Sequence, residues 1–219
     1  MSIQIHGVPP SPFVRKVRVF LAEKNVPYEL VTQQPFNPSA EYLAKSPLGK
    51  IPCLQEGDFT LPDSSVICAY LERTHPEPPL YPGDPRDYAR ALWFEEYADS
   101  KLAEVCGQPF FQRVVRPLFF QQDPDETVVE KIVNEGQPPV FDYLEGQLEE
   151  GSQGFVGGRL SIADIAVGTM LAQLIHADLD LDAGRWPKLA AHRDRLLGRP
   201  SFKACIEQEK QIFAGLKKS

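Results

Sequence analysis

Only four cysteines occur in the 219 residues, and none forms a C-x-x-C pair. That excludes the usual signatures of zinc ribbons and dithiol redox centres, and a cytosolic chain with reduced thiols is expected. The four histidines, His6, His75, His176 and His192, fall at no ligand spacing, so no metal is expected. No apolar run exceeds the six residues from Val66 to Leu71, against the ~20 that a membrane-spanning helix needs. Met1-Ser2-Ile3-Gln4-Ile5 has neither the basic patch nor the apolar stretch of a secretory leader. A cytoplasmic protein with no membrane partner is the expectation. Positive charge is short as well. The formal net charge is -7, and a phosphate backbone needs a basic face, so no nucleic-acid partner is expected.

What is present suits a soluble globule: 42% hydrophobic and 24% charged residues suffice for a sizeable core. The charge is unevenly placed. Residues 1–75 carry seven basic and seven acidic side chains, whereas residues 76–219 carry sixteen and twenty-three and so hold the whole excess. Between them, residues 75–85 contain five prolines. Proline fixes φ and lacks an amide donor, so neither helix nor sheet runs through such a stretch. The reading is a domain at 1–75, a linker at 76–85 and a second domain at 86–219.

In the first domain Ile3 and Ile5 alternate with polar residues, the pattern of a half-buried strand. Ser11-Pro12 opens a helix, with serine as cap and proline at the first turn. Its apolar set is Val14, Val17, Phe20 and Leu21, with Arg15, Lys16 and Arg18 on the other side. A strand from Tyr28 to Thr32 follows, and then a short helix from Ala40 to Ala44. Gly57-Asp58 makes a hairpin of the segments Ile51 to Leu54 and Phe59 to Leu61. Asp63-Ser64 caps a last helix with Val66, Ile67, Tyr70 and Leu71 on its apolar face. The order β-α-β-α-β-β-α is the thioredoxin-like arrangement.

Three strings carry a family resemblance: Ser11-Pro12-Phe13-Val14, Ser46-Pro47-Leu48-Gly49-Lys50-Ile51-Pro52-Cys53-Leu54, and Leu61-Pro62-Asp63-Ser64-Ser65-Val66-Ile67. In order and spacing they resemble the N-terminal domain of the cytosolic glutathione transferases, which a helical second domain follows. The resemblance implies a glutathione transferase fold: an α/β thioredoxin-like domain plus an all-α C-terminal domain. It implies glutathione as co-substrate, a small electrophile as second substrate, no metal, and a homodimer. Ser11 would donate a hydrogen bond to the glutathione sulfur. The main chain of Ile51, before a cis Pro52, would pair with the cysteinyl part by strand addition. Lys50 would reach the glycine carboxylate. Ser64 and the helix-start amides would take the γ-glutamyl carboxylate, Asp63 its ammonium, and Phe13 would border the electrophile pocket.

The subtype follows from what stands around Ser11. Neither Ser11 nor Val14 is a thiol, so a mixed disulfide cannot form there. The strand end offers Ile5, His6 and Gly7 in place of an activating tyrosine. What is left resembles the serine-type theta, zeta and phi classes. The Ser-Ser-Cys run of the zeta isomerases is absent, which disfavours maleylacetoacetate isomerisation. Two competing readings need the same fold: a glutathione-dependent isomerase or dehalogenase, and a non-catalytic scaffold.

In the second half a helix is expected from near Asp84, with Pro109 and Pro117 kinking or interrupting its continuation. Residues 123–150 hold nine acidic residues and one lysine, read as a solvated face. Ser161 and Asp164 are spaced as a capping box, flanked by Leu160 and Ile165 at staple positions. The family has this device in a buried helix, and its role is structural. Trp186-Pro187 and Arg199-Pro200 start two further helices.

Overall fold

In β1 (Ile3–Gly7), Ile3 and Ile5 fall on one face of the pleat, Gln4 and His6 on the other. The structure, a computed structural model, describes residues 2–216 and divides into two units, Met1–Leu80 and Tyr81–Ser219. In the first unit β1 pairs in parallel with β2 (Tyr28–Thr32) and antiparallel with β3 (Cys53–Glu56). A hairpin through Gly57 at φ 62° joins β3 to β4 (Phe59–Pro62), giving the sheet order β2-β1-β3-β4. Leu54 stands opposite Ile5 and continues its buried face. The helices α1 (Pro12–Glu23) and α3 (Ser64–Thr74) pack on each other. Gly7 is required where β1 meets α1, since a Cβ there would lie 2.5 Å from a Val14 methyl. On the His6 face sits α2 (Ala40–Lys45), with the Tyr42 ring 6.4 Å from that of His6.

Helix α1 departs from the amphipathic reading. Arg15, Lys16 and Arg18 are all buried. Helical periodicity sorts charges outward, but a charged side chain can be buried where its polar head finds partners. Lys16 Nζ donates to Ser65 Oγ at 2.9 Å and Arg18 Nε donates to Tyr28 Oη at 2.9 Å.

The proline-rich stretch does not hang free at its start. Buried Lys24 Nζ donates to His75 O at 2.7 Å and Pro78 O at 2.9 Å, and pairs with Glu72 at 2.7 Å. The Leu80 amide donates to both Glu72 oxygens.

The described residues of the second unit form helices joined by loops. From α4 (Pro85–Tyr97), capped by Asp84, the chain passes through a π-helical stretch at Ala98–Leu102 into α5 (Ala103–Phe110). A second π-helical stretch, Phe111–Val115, leads to α6 (Arg116–Phe120). The expected disturbance at Pro109 and Pro117 thus takes the form of π turns and not of breaks. Pro109 cannot give Val105 O the usual N–H, and Gln137 Nε2 donates to that oxygen at 3.1 Å. Gln137 is buried. The substitution Gln137→Leu is therefore expected to lower stability by about 1–2 kcal/mol. Chemical denaturation would measure this, and an unchanged midpoint would show the carbonyl satisfied without the amide.

Next come α7 (Glu126–Lys131) and, after a π turn at Ile132–Gly136, α8 (Gln137–Gln147). This is the acidic run, and it is not merely solvated. Glu145 accepts the Lys188 and Leu189 amides at 3.2 and 2.8 Å, capping α10 (Pro187–Leu197) from a neighbouring helix. Asp142 holds Arg185 at 2.8 Å and accepts Trp186 Nε1–H at 2.6 Å. Between α8 and α10 lies α9 (Ile162–His176), in which every residue from Ile162 to Leu174 is buried. At its start the fully buried Asp164 accepts the Ser161 amide at 2.8 Å, the Ser161 hydroxyl at 3.0 Å and the Phe155 amide at 2.9 Å. The last helix is α11 (Pro200–Leu216). No helix of the described residues is long and apolar enough to cross a membrane.

Candidate functional site

Strand register decides which loops meet. His6 of β1 stands opposite Cys53, the first residue of β3, and Cys53 stands opposite Pro62, the last residue of β4. One row across the sheet is therefore His6, Cys53, Pro62. Just beyond it lie the turn from β1 into α1 at Ser11, Ile51–Pro52 entering β3, and Asp63–Ser64 leaving β4. Ser11, Ile51 and Asp63, at positions 40 and 12 apart in sequence, thus lie at one end of one sheet.

Ser11 is the N-cap of α1, extended at φ -71° and ψ 126°, with Pro12 in the first turn. Its Oγ accepts the Val14 amide at 3.4 Å, a long cap bond. That bond uses a lone pair and leaves the hydroxyl proton for an acceptor above the helix start. The partial positive charge of the helix N-terminus falls on the same spot. Phe13 is half-buried in the same turn.

Ile51–Pro52 is a cis peptide bond. The turn before it is built by Pro47 and Gly49: the Gly49 amide donates to Ser46 O at 2.8 Å, with proline and glycine where such a turn favours them. Gly49 has φ 65°, and a Cβ on it would lie 2.8 Å from the Pro38 ring, so no other residue fits without displacement. Lys50 is exposed and Ile51 half-buried.

Asp63 has φ 77° and ψ 128°. A non-glycine residue there costs about 1–3 kcal/mol and persists only where its surroundings enforce it. The enforcement is local, because Asp63 Oδ1 accepts the Ser65 amide at 2.9 Å and the Val66 amide at 3.2 Å. Those two amides, offered to a ligand carboxylate in the sequence reading, are thus held by the cap. Asp63 Oδ2 makes no hydrogen bond among the described residues. Ser64 follows as the first helical residue, and it is buried.

Two groups near this end carry perturbed acidities. Burial pushes the Tyr42 phenol up to about 12, with Cys53 beside it acting in the same direction. The Cys53 thiol is itself raised by burial. Cys53, Cys68, Cys106 and Cys205 are all buried, so none offers a ready nucleophile. No group of three metal-ligating side chains occurs among the described residues. The sequence reading missed Tyr42 and passed over Ser46 within its motif. A tyrosine three residues after a helix cap carries no signal of its own.

Sheet order, the cis bond before β3 and the helical second unit define a thioredoxin-like domain joined to an all-α domain. Residues 5–79 match the family model for the N-terminal domain of glutathione S-transferase, and residues 109–209 match that for its C-terminal domain. A probable glutathione S-transferase GSTF2 of Oryza sativa subsp. japonica is 30% identical over 91% of this chain and 93% of its own. Glutathione S-transferase theta-1 of Bos taurus is 28% identical, over 83% and 77%. Among solved structures, a glutathione S-transferase of Methylobacterium radiotolerans in complex with glutathione sulfonate superposes with TM-score 0.74 at 31% identity, covering 94% and 95%. The chain belongs to the glutathione S-transferase family, a class of enzymes.

Proposed function

We propose that this enzyme binds glutathione at the sheet end described above, ionises its thiol opposite Ser11, and transfers it to a small, largely apolar electrophile. The observation that carries this reading is the His6–Cys53–Pro62 row, which collects the three motif loops. Free thiols have a pKa of about 8.5, leaving only a few per cent thiolate at neutral pH. Lowering this by about two units is worth ~2.7 kcal/mol. A hydroxyl donor at a helix N-terminus is suited to stabilise the anion.

The remaining contacts follow the chemistry of the tripeptide. The Ile51 main chain pairs with the cysteinyl unit, and Lys50 reaches the glycine carboxylate. Ser64 takes the γ-glutamyl carboxylate, and Asp63 Oδ2 its ammonium. Phe13 borders the electrophile. In the transfer the sulfur lone pair forms the new carbon–sulfur bond, and either a leaving group departs with its electron pair or the adduct takes a proton from water. By resemblance the enzyme works as a cytoplasmic homodimer.

Titrating the thiolate absorbance of bound glutathione between about pH 5 and about pH 9 tests this. The midpoint is expected about two units below that of free glutathione. A midpoint equal to that of the free tripeptide would exclude thiol activation.

A further inference from the structure

Two hydroxyls converge on one carbonyl beside the proposed glutathione site. Tyr42 Oη and Ser46 Oγ each donate to Lys50 O at 2.8 Å, and both residues are buried, at 3% and 1% exposure. An exposed turn ordinarily leaves its carbonyls to water, whereas here two buried donors saturate both lone pairs of one oxygen. Burial keeps the Tyr42 phenol protonated, so it remains a donor across the working pH range.

The donors are themselves held. Ser39 caps α2 by accepting the Tyr42 amide at 3.2 Å, and Ser46 closes the helix with its amide on Tyr42 O at 2.8 Å. Lys45 Nζ donates to Gln55 Oε1 at 3.1 Å, and the same oxygen lies 3.0 Å from His6 Nε2. The Cys53 thiol faces Lys45 O at 3.7 Å. Helix α2 is thus tied to β1 and β3 on the face from which the Lys50 carbonyl is reached.

The geometry of the peptide group carries the consequence. The Lys50–Ile51 bond is trans, since the cis bonds are Ile51–Pro52 and Glu77–Pro78. In a trans peptide the N–H points opposite to the C=O. With Lys50 O turned to α2, the Ile51 N–H is directed away from it. Among the described residues no hydrogen bond engages the Ile51 N–H or C=O.

We propose that Tyr42 and Ser46 are positioning residues, which set the Lys50–Ile51 peptide plane so that Ile51 presents its main chain to the cysteinyl unit of glutathione. This rests on the glutathione site proposed above. The two donors back each other up. Removing one leaves the carbonyl bonded by the other, whereas removing both frees the plane to rotate. A purely structural role would instead lower stability additively and leave ligand affinity alone.

The test compares Tyr42→Phe, Ser46→Ala, the double variant and Ser46→Thr, using glutathione itself as probe. Calorimetric Kd and the KM for glutathione are expected to rise about twofold in each single variant and about tenfold in the double. The kcat at saturating glutathione stays within about twofold of wild type, and Ser46→Thr on the Tyr42→Phe background, which keeps a hydroxyl, matches Tyr42→Phe alone and not the double variant. Amide exchange at Ile51 in the wild type should slow when glutathione is added. That measurement decides the question without a variant if the double substitution fails to fold. A wild type that binds glutathione, together with a folded double variant that binds it equally tightly or an Ile51 amide indifferent to ligand, overturns the positioning role alone. A wild type that binds no glutathione overturns the site and this role with it.

Discussion

Ser11→Ala is expected to slow transfer to an activated aryl halide about a hundredfold at mildly acidic pH, while glutathione binds nearly as tightly as before. The size follows from the thiol. If the Ser11 hydroxyl itself lowers the thiol pKa by about two units, losing it reduces the thiolate population about a hundredfold at any pH well below both values. The sign of the pH dependence is set by the same shift. Wild type should lose activity only as pH falls through the depressed thiol pKa. The variant loses it already below about 8.5, so the two profiles converge in alkaline solution.

Stability complicates this, because Ser11 also caps α1, and replacing a cap by alanine costs about 0.5–2 kcal/mol. The 3.4 Å bond to the Val14 amide places Ser11 at the low end of that range. Ser11→Gly separates the two roles. Glycine is tolerated as a cap to within a few tenths of a kcal/mol of serine, yet it has no hydroxyl. Both variants should show the same displaced pH–rate profile. Overlaying profiles for wild type and variants would remove Ser11 from the chemistry.

The second large effect concerns folding. Asp164→Ala should destabilise the protein by about 3–5 kcal/mol. The fully buried carboxylate accepts two amides and a hydroxyl, and His192 Nε2 lies 3.0 Å from its Oδ1. Alanine strands the two amides and the hydroxyl in the interior. The surroundings leave little room to adapt: a Cβ on Gly154 would lie 2.0 Å from Arg159 O and 2.8 Å from Asp164 Oδ2. For a chain of this size the loss corresponds to a drop of roughly 6–20 °C in Tm. Differential scanning calorimetry gives the answer directly, and a shift under about 2 °C would mean that the loop before α9 holds itself. The pH–rate profile of the folded fraction should be unchanged, which distinguishes this residue from Ser11.

Local chemistry made several features readable from the chain alone. Ser11-Pro12, Asp63, Asp84 and the Ser161/Asp164 pair all mark helix starts where the structure has them. Caps are legible because a side chain three or fewer residues away satisfies the orphan amides. Gly57-Asp58 was likewise legible as a hairpin, since a positive φ at Gly57 is the local requirement. The Arg15, Lys16 and Arg18 face was misread for the opposite reason. The partners of Lys16 and Arg18, Ser65 and Tyr28, are forty-nine and ten residues away, and periodicity alone assigns any charge to solvent. The acidic run was misread in the same way: Glu145 caps a helix more than forty residues further on.

The sequence by itself determined the kind of fold, many of the helix starts and the three strings proposed to form a glutathione site, because each rests on residues within a few positions of one another. Only the tertiary structure decided that those strings share one end of the sheet, that the Ser65 and Val66 amides are held by Asp63, and that Tyr42 and Ser46 grip the Lys50 carbonyl. Strand register and peptide orientation are settled by hydrogen bonds between segments distant in the chain, and no local pattern encodes which partner a buried polar group will meet.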